Sequence, residues 1–207
     1  MIKRMFYETE RGENMNSRNE EQHQKRKVEL MEQAFDCMAD IGLSSVGVRA
    51  LAKHCDCNVA VFYNYFENLD DLIVQSTAHC MSRVEDDFMA VAPENPADID
   101  RFLDEIPYWT AEKHGKKYRL MYQVYTHPKY MEHGRVFFEG VNRRYVEYAR
   151  QLERRIGLSS EVTTPLIFMV IRASVHYALF EDEFYLKAQM SLLKQCVHAC
   201  LEQAKTV

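Results

Sequence analysis

Turn-forming residues are scarce in this chain: seven glycines and five prolines in 207 residues. No stretch alternates apolar and polar residues as a half-buried strand must. A sheet protein is thereby excluded. No run of about 18 apolar residues is found, which argues against a membrane span. The opening MIKRMFYETERGEN has no apolar segment of the kind a secretory signal needs. A positive balance is missing as well: 26 Lys and Arg stand against 31 Asp and Glu, a net charge of −5. Any nucleic-acid contact must therefore use a local patch. The patterns G-x-S-x-G, G-x-x-x-x-G-K and H-E-x-x-H are also absent, so no catalytic role is expected.

Six cysteines are present, at Cys37, Cys55, Cys57, Cys80, Cys196 and Cys200. They sit in apolar helical surroundings and read as reduced thiols of a cytoplasmic protein. Cys196 and Cys200 share a helix face, but two thiols do not make a zinc site. No metal and no cofactor is expected.

What remains is helical periodicity. Residues 1–22 are polar and charged without a repeat and are expected to be a disordered or frayed extension. From Gln24 the positions Val28, Met31, Ala34, Phe35, Met38 and Ile41 follow a helical spacing, and Gly42 ends it. Lys25, Arg26 and Lys27 then fall at the helix N-terminus, where the dipole disfavours cations. They are either a solvated cluster or an end that faces phosphates. A second helix is expected over 48–55, capped by Gly47 or Ser45, with Asp56 in the turn. A third runs over 58–65 with Asn58 as N-cap. Leu51, Ala52, Cys57, Val61 and Phe62 have the spacing of a small three-helix core, which gives a helix-turn-helix motif over about 47–66 within a domain over 23–68.

The rest, 69–207, reads as a second helical domain. Helices are expected over 69–90, 98–113, 116–126, 129–156, from 160 or 164 to 180, and 184–205. Pro107 should kink the fifth and Gly115 should end it. Gly134 and Gly140 mark a bend or a close contact. The count is about nine, and the class is all-α.

These residues resemble the tetracycline-repressor (TetR) family of bacterial regulators. Ala34, Phe35, Gly42, Val48, Leu51, Ala52, Phe62, Tyr63, Tyr65, Phe66 and Leu72 carry the likeness over about fifty positions. Several family features differ. Val46 and Gly47 stand where hydroxyl residues cap the second helix and touch phosphate. Asp56 replaces a turn glycine, and Leu69 replaces a phosphate-contacting lysine. The resemblance implies a homodimeric regulator that binds palindromic operator DNA, a repressor released from it by a small molecule.

 The domains it implies are a DNA-reading module and a ligand-binding and dimerisation unit, paired between copies through the last two helices.

By that resemblance, Tyr63 and Tyr65 donate to phosphates, although two residues apart they face different sides and one could instead pack inward. Asn58 and Asn64 either pair with adenine edges or cap helices, and Val59 and Ala60 can touch thymine methyls. Arg49, Lys53 and His54 either contact phosphate or form a solvated face. In the second domain, Trp109, Met121, Tyr122, Tyr125, Phe138 and Phe168 are candidate lining for a ligand pocket, since buried phenols need partners. Arg172 and His176 share a face of an apolar helix. They either pair with Glu181 or Glu183 at a dimer interface or anchor an anionic group. The effector is expected to be aromatic or anionic. The competing reading is a dimeric ligand-binding or interaction protein with a vestigial helix-turn-helix. From Gln24 to Leu72, five cations against eight acids leave the module at −3.

Overall fold

Helical periodicity along the chain becomes eight α-helices among the described residues, with no strand. The computed structural model describes the backbone of residues 2–205 and the side chains of residues 19–204. The helices are α1 (Ile2–Ile41), α2 (Val48–His54), α3 (Val59–Tyr63), α4 (Leu69–Ala90), α5 (Ile99–Tyr125), α6 (Met131–Ile156), α7 (Ser160–Phe180) and α8 (Glu183–Lys205). Short 3-10 turns, Leu43–Ser45 and Pro96–Asp98, lie in two of the connections. The chain divides into two compact units, Met1–His79 and Cys80–Val207.

In the first unit, α1 supplies Leu30, Ala34, Phe35 and Met38 to a core completed by Leu51, Ala52, Cys55, Phe62, Phe66 and Leu72, all buried. Gly42 ends α1 at φ 78°, a left-handed backbone that a side chain resists. Its N–H donates to the Met38 carbonyl at 2.9 Å, which satisfies one of the last carbonyls of the helix. Most of the expected extension over 1–22 has side chains outside the described residues. Lys25, Arg26 and Lys27 lie inside α1 and not at its start, so the dipole cost expected for them does not arise.

Gly47 is the N-cap of α2, without a side-chain hydrogen bond. Asn58 caps α3 as expected: its Oδ1 accepts from the Ala60 N–H at 3.0 Å. Asp56 makes the turn between them at φ 46°.

The second unit differs from expectation at Gly115. The two helices predicted over 98–113 and 116–126 are one, α5, with Pro107 and Gly115 buried inside it. Gly115 stays within the helix where α5 packs on α7: a Cβ there would lie 3.7 Å from the Ala178 carbonyl oxygen, an ordinary contact. The α5–α7 pair is the most extensive helix contact in the chain, and that packing outweighs the roughly 1 kcal/mol propensity cost of glycine. Gly134 on α6 is a close contact, since a Cβ would fall 2.8 Å from Tyr125 Cβ; Gly140 meets nothing. α7 begins at Ser160, so Pro165 lies within it and not at its first turn. By length and composition α7 is apolar enough to cross a membrane, but here it packs against α5, α6 and α8. Phe88, Leu103, Tyr145, Leu152, Ile167, Leu186 and Leu193 form the centre of this unit's core.

Candidate functional site

The first unit turns one polar surface outward over its buried core. On α2, Arg49 and Lys53 are both exposed, and their spacing of four puts them on one helix face. His54 beside them is exposed, as are Asn58, Ala60, Tyr63 and Asn64 around α3, while Val59 is half-buried. Leu51, Ala52 and Phe62 are buried beneath. The two tyrosines separate. Tyr63 is 55% exposed. Tyr65 is half-buried, its ring 4.5 Å from that of His23 on α1. Asn58 serves as a cap through its Oδ1, which leaves its amide donors for another partner.

Charge on this surface is thinner than the sequence count suggests. Arg26 donates to Glu29 at 3.0 Å, and Lys27 lies 5.4 Å from the Phe66 ring centroid, a cation–π contact. Lys25, Arg49 and Lys53 are the exposed cations without an acidic partner among the described residues of this segment. The acids are partly spent too. Asp71 accepts from the Glu67 N–H at 3.0 Å and from Gln75 at 2.7 Å, while Asn68 accepts from the Asp71 N–H at 3.0 Å. This reciprocal cap fixes the start of α4, where Leu69 stands. In the thiol group, burial pushes Cys55 up to about 11, so the thiolate is disfavoured.

The second unit turns its polar groups inward. A cavity of about 60 Å³ is lined by Met81 and Glu85 of α4, by Tyr118, Met121 and Tyr122 of α5, by Phe138 and Tyr145 of α6, and by Phe168 and Arg172 of α7. Five predicted residues therefore meet: Met121, Tyr122, Phe138, Phe168 and Arg172. Three do not line it. Tyr125 packs beside it, its ring 5.2 Å from Phe137 and 6.0 Å from Phe138. Trp109 lines a separate groove of about 300 Å³ with Arg101, Phe102 and Glu105. His176 stacks between Phe180 and Tyr185 at 4.9 and 4.5 Å.

Arg172 is exposed; its Nη1 donates to the Tyr122 hydroxyl at 3.1 Å. Glu183, one of its expected partners, is taken by Tyr108, Tyr177 and Lys187. The main residue missed from the sequence is Glu85, only 7% exposed. Arg144 Nη1 donates to Glu85 Oε2 at 3.0 Å and to Ser82 at 2.7 Å, and its Nη2 donates to Asp86. Burial raises the Glu85 carboxyl to about 7, against the lowering effect of Arg144. The run Glu85-Asp86-Asp87 reads as a solvated face, yet Met81, Glu85 and Phe88 share the apolar register of α4. That register was the available signal.

A third feature is apolar and uncovered. Met169 and Phe180 on α7 and Phe184, Tyr185 and Leu192 on α8 are exposed, Phe184 at 88%. Patches of this kind mark association surfaces.

A short capped helix, presented with a polar outer face by a buried three-helix core, is the arrangement of a helix-turn-helix motif. Residues 30–75 match the family model of bacterial regulatory proteins of the tetR family. No curated protein matches the chain. Solved structures share its fold. A TetR transcription regulator from Haloarcula marismortui is 16% identical, with a TM-score of 0.63 over 86% of this chain and 98% of that one. The multidrug binding protein EbrR complexed with malachite green is 16% identical, at 0.53 over 83% and 97%. FadR of Thermus thermophilus, a TetR-family transcriptional repressor in complex with lauroyl-CoA, is 13% identical, at 0.51 over 83% and 92%.

Proposed function

We propose that this protein is a cytoplasmic, homodimeric repressor that a small molecule releases from a palindromic operator. The observation that carries the reading is the exposed strip of Arg49, Lys53, Asn58, Ala60, Tyr63 and Asn64 over a buried frame. Tyr63, Arg49 and Lys53 position the module on phosphates. Asn64 and the free amide of Asn58 read base edges, and Ala60 and Val59 meet thymine methyls. The uncovered apolar faces of α7 and α8 pair between two copies, a reading that the exposed rings of Phe180 and Phe184 support. Two copies then present two α3 helices to successive major grooves about 34 Å apart.

Solved structures of the same fold hold lauroyl-CoA or malachite green, which supports a ligand role for the ring-lined cavity of the second unit. At about 60 Å³ it has room for about two waters. A ligand must therefore open it, and the open form is the state that no longer fits two grooves at once. The action is a shift between conformations, with no covalent step. Footprinting on the DNA upstream of the gene tests this reading. The expected result is protection of two half-sites one helical turn apart, lost on Tyr63→Ala with Arg49→Ala. Equal protection of shuffled DNA contradicts it.

A second reading keeps the dimer and the cavity but assigns the first unit a weak grip on DNA. The tie of Arg26 to Glu29 and the placement of Lys27 over Phe66 favour it. Phosphate contact is then left to few cations.

A further inference from the structure

We propose that the cavity beside Glu85 takes an organic cation, an aromatic or aryl-alkyl amine in its protonated form, with the positive centre on Glu85 Oε1. The inference rests on the ligand role proposed above and fixes its charge. Four observations lead to it. Glu85 lines the cavity and is more than nine-tenths buried. Its Oε2 accepts from Arg144, while its Oε1 accepts no hydrogen bond among the described residues. Arg144 is shared with Asp86, so one guanidinium serves two carboxylates and the cluster keeps a negative excess. The phenols of Tyr118 and Tyr145 line the same cavity, are buried, and hydrogen-bond to nothing among the described residues.

A carboxylate oxygen set at the wall of an apolar cavity without a donor is costly, and an ammonium supplies the missing charge and hydrogen bond together. The walls suit the remainder of such a ligand. Ring faces attract cations, and Tyr118, Phe138, Tyr145 and Phe168 provide them. An anion fits poorly here, because the cation of the cavity, Arg172, stands at an exposed position and already donates to Tyr122. The raised proton affinity of Glu85 agrees with a carboxylate short of positive charge; the groups facing it are Arg144, Asp86, Tyr118, Tyr125 and Tyr145.

The test uses two probes of one shape and opposite charge, 4-phenylbutylammonium and 4-phenylbutyrate, titrated calorimetrically into the full-length dimer. The cation is expected to bind at least about tenfold tighter, as a charge-assisted hydrogen bond allows. Glu85→Gln should erase that preference while leaving 4-phenylbutyrate binding equal or improved. If Glu85→Gln fails to fold, the wild type still decides: cation affinity should fall as pH drops below about 7, and anion affinity should not. Equal or tighter binding of the anion overturns the proposal, as does no saturable binding of either probe or a preference that survives in Glu85→Gln. A labelled operator duplex separates this from the reading beneath it. If 4-phenylbutyrate alone releases the duplex, the regulator stands and the cation is wrong. If the cation binds through Glu85 and the duplex stays bound, the site stands and the response is wrong.

Discussion

The two units use polar residues in opposite directions. In the first, Arg49, Lys53, Asn58 and Tyr63 point outward from a core of Leu51, Ala52 and Phe62. In the second, Glu85, Tyr118, Tyr145 and His114 are drawn inward among rings. An outward polar group costs nothing to hydrate, so the first unit can be stable whether or not DNA is present. An inward one carries a desolvation cost unless it is partnered. The second unit therefore contains groups whose balance depends on what enters it, which is what a sensor requires.

Removing the frame of the first unit should have the largest effect. Phe62→Ala is expected to destabilise by about 3–5 kcal/mol, the usual cost of emptying a buried ring site. Thermal unfolding should then show a transition lost from the helix-turn-helix while the second unit retains its own. A single joint shift would show that the units unfold together.

Next comes the inward charge of the second unit. Glu85 is raised from 4.5 to about 7 by burial, so the folded state holds its proton more tightly than the unfolded chain. Its contribution is full below about 4.5 and is lost as pH rises to about 7. His114 is lowered from 6.5 to about 4, again chiefly by burial. Its Nε2 lies 3.4 Å from Asp87 without hydrogen-bond geometry, and both ring nitrogens lack a donor or acceptor partner. Its contribution is full above 6.5 and is lost as pH falls to about 4. Between about 4.5 and 6.5 the two oppose each other, so wild-type stability should be nearly flat with pH. Glu85→Gln should unmask an acid-side loss approaching ~3 kcal/mol, and His114→Leu a loss of similar size toward neutral pH. Urea midpoints across pH 4.5–7.5 measure both. A slope in the wild type as steep as in either variant would break the pairing.

Smaller effects sharpen the outward side. Leu69→Lys adds a cation at the capped start of α4 and should steepen the salt dependence of DNA binding by about one unit per copy. Lys53→Ala should flatten it by the same amount. Smallest is Asp56→Gly. It relieves a left-handed aspartate at φ 46° and should stabilise by about 1 kcal/mol, with tighter DNA binding from the lost negative charge. A neutral or destabilising result would show that Asp56 has a partner role in the turn.

The same contrast governs how much was legible in the sequence. The first unit is local: Gly42, Asn58 and Asp56 each dictate a turn or cap within a few residues, and their effects followed from type and spacing. Tyr65 was the exception, because its fate depends on His23, some forty positions away. The second unit is assembled from distant helices. Gly115 reads as a break, but the packing of α5 on α7 that carries the helix through it comes from another helix. Arg172 sits on an apolar helix, yet it is exposed and lines the cavity with residues of three other helices. Trp109 is a pocket candidate on ring character and His176 on the helix face it shares with Arg172; Trp109 lines a separate groove and His176 stacks between Phe180 and Tyr185. Glu85 sat in an acidic run, and only its register with Met81 and Phe88 hinted at the interior.

On the proposed reading, the outward strip grips DNA through a small set of cations. Its most direct measurement is the salt dependence of binding to the upstream DNA against a shuffled duplex. With Lys25, Arg49 and Lys53 acting in each of two copies, log K against log salt should have a slope no steeper than about −5, with clear preference for the natural sequence. A slope near zero, or equal affinity for the shuffled duplex at every salt concentration, would contradict the account.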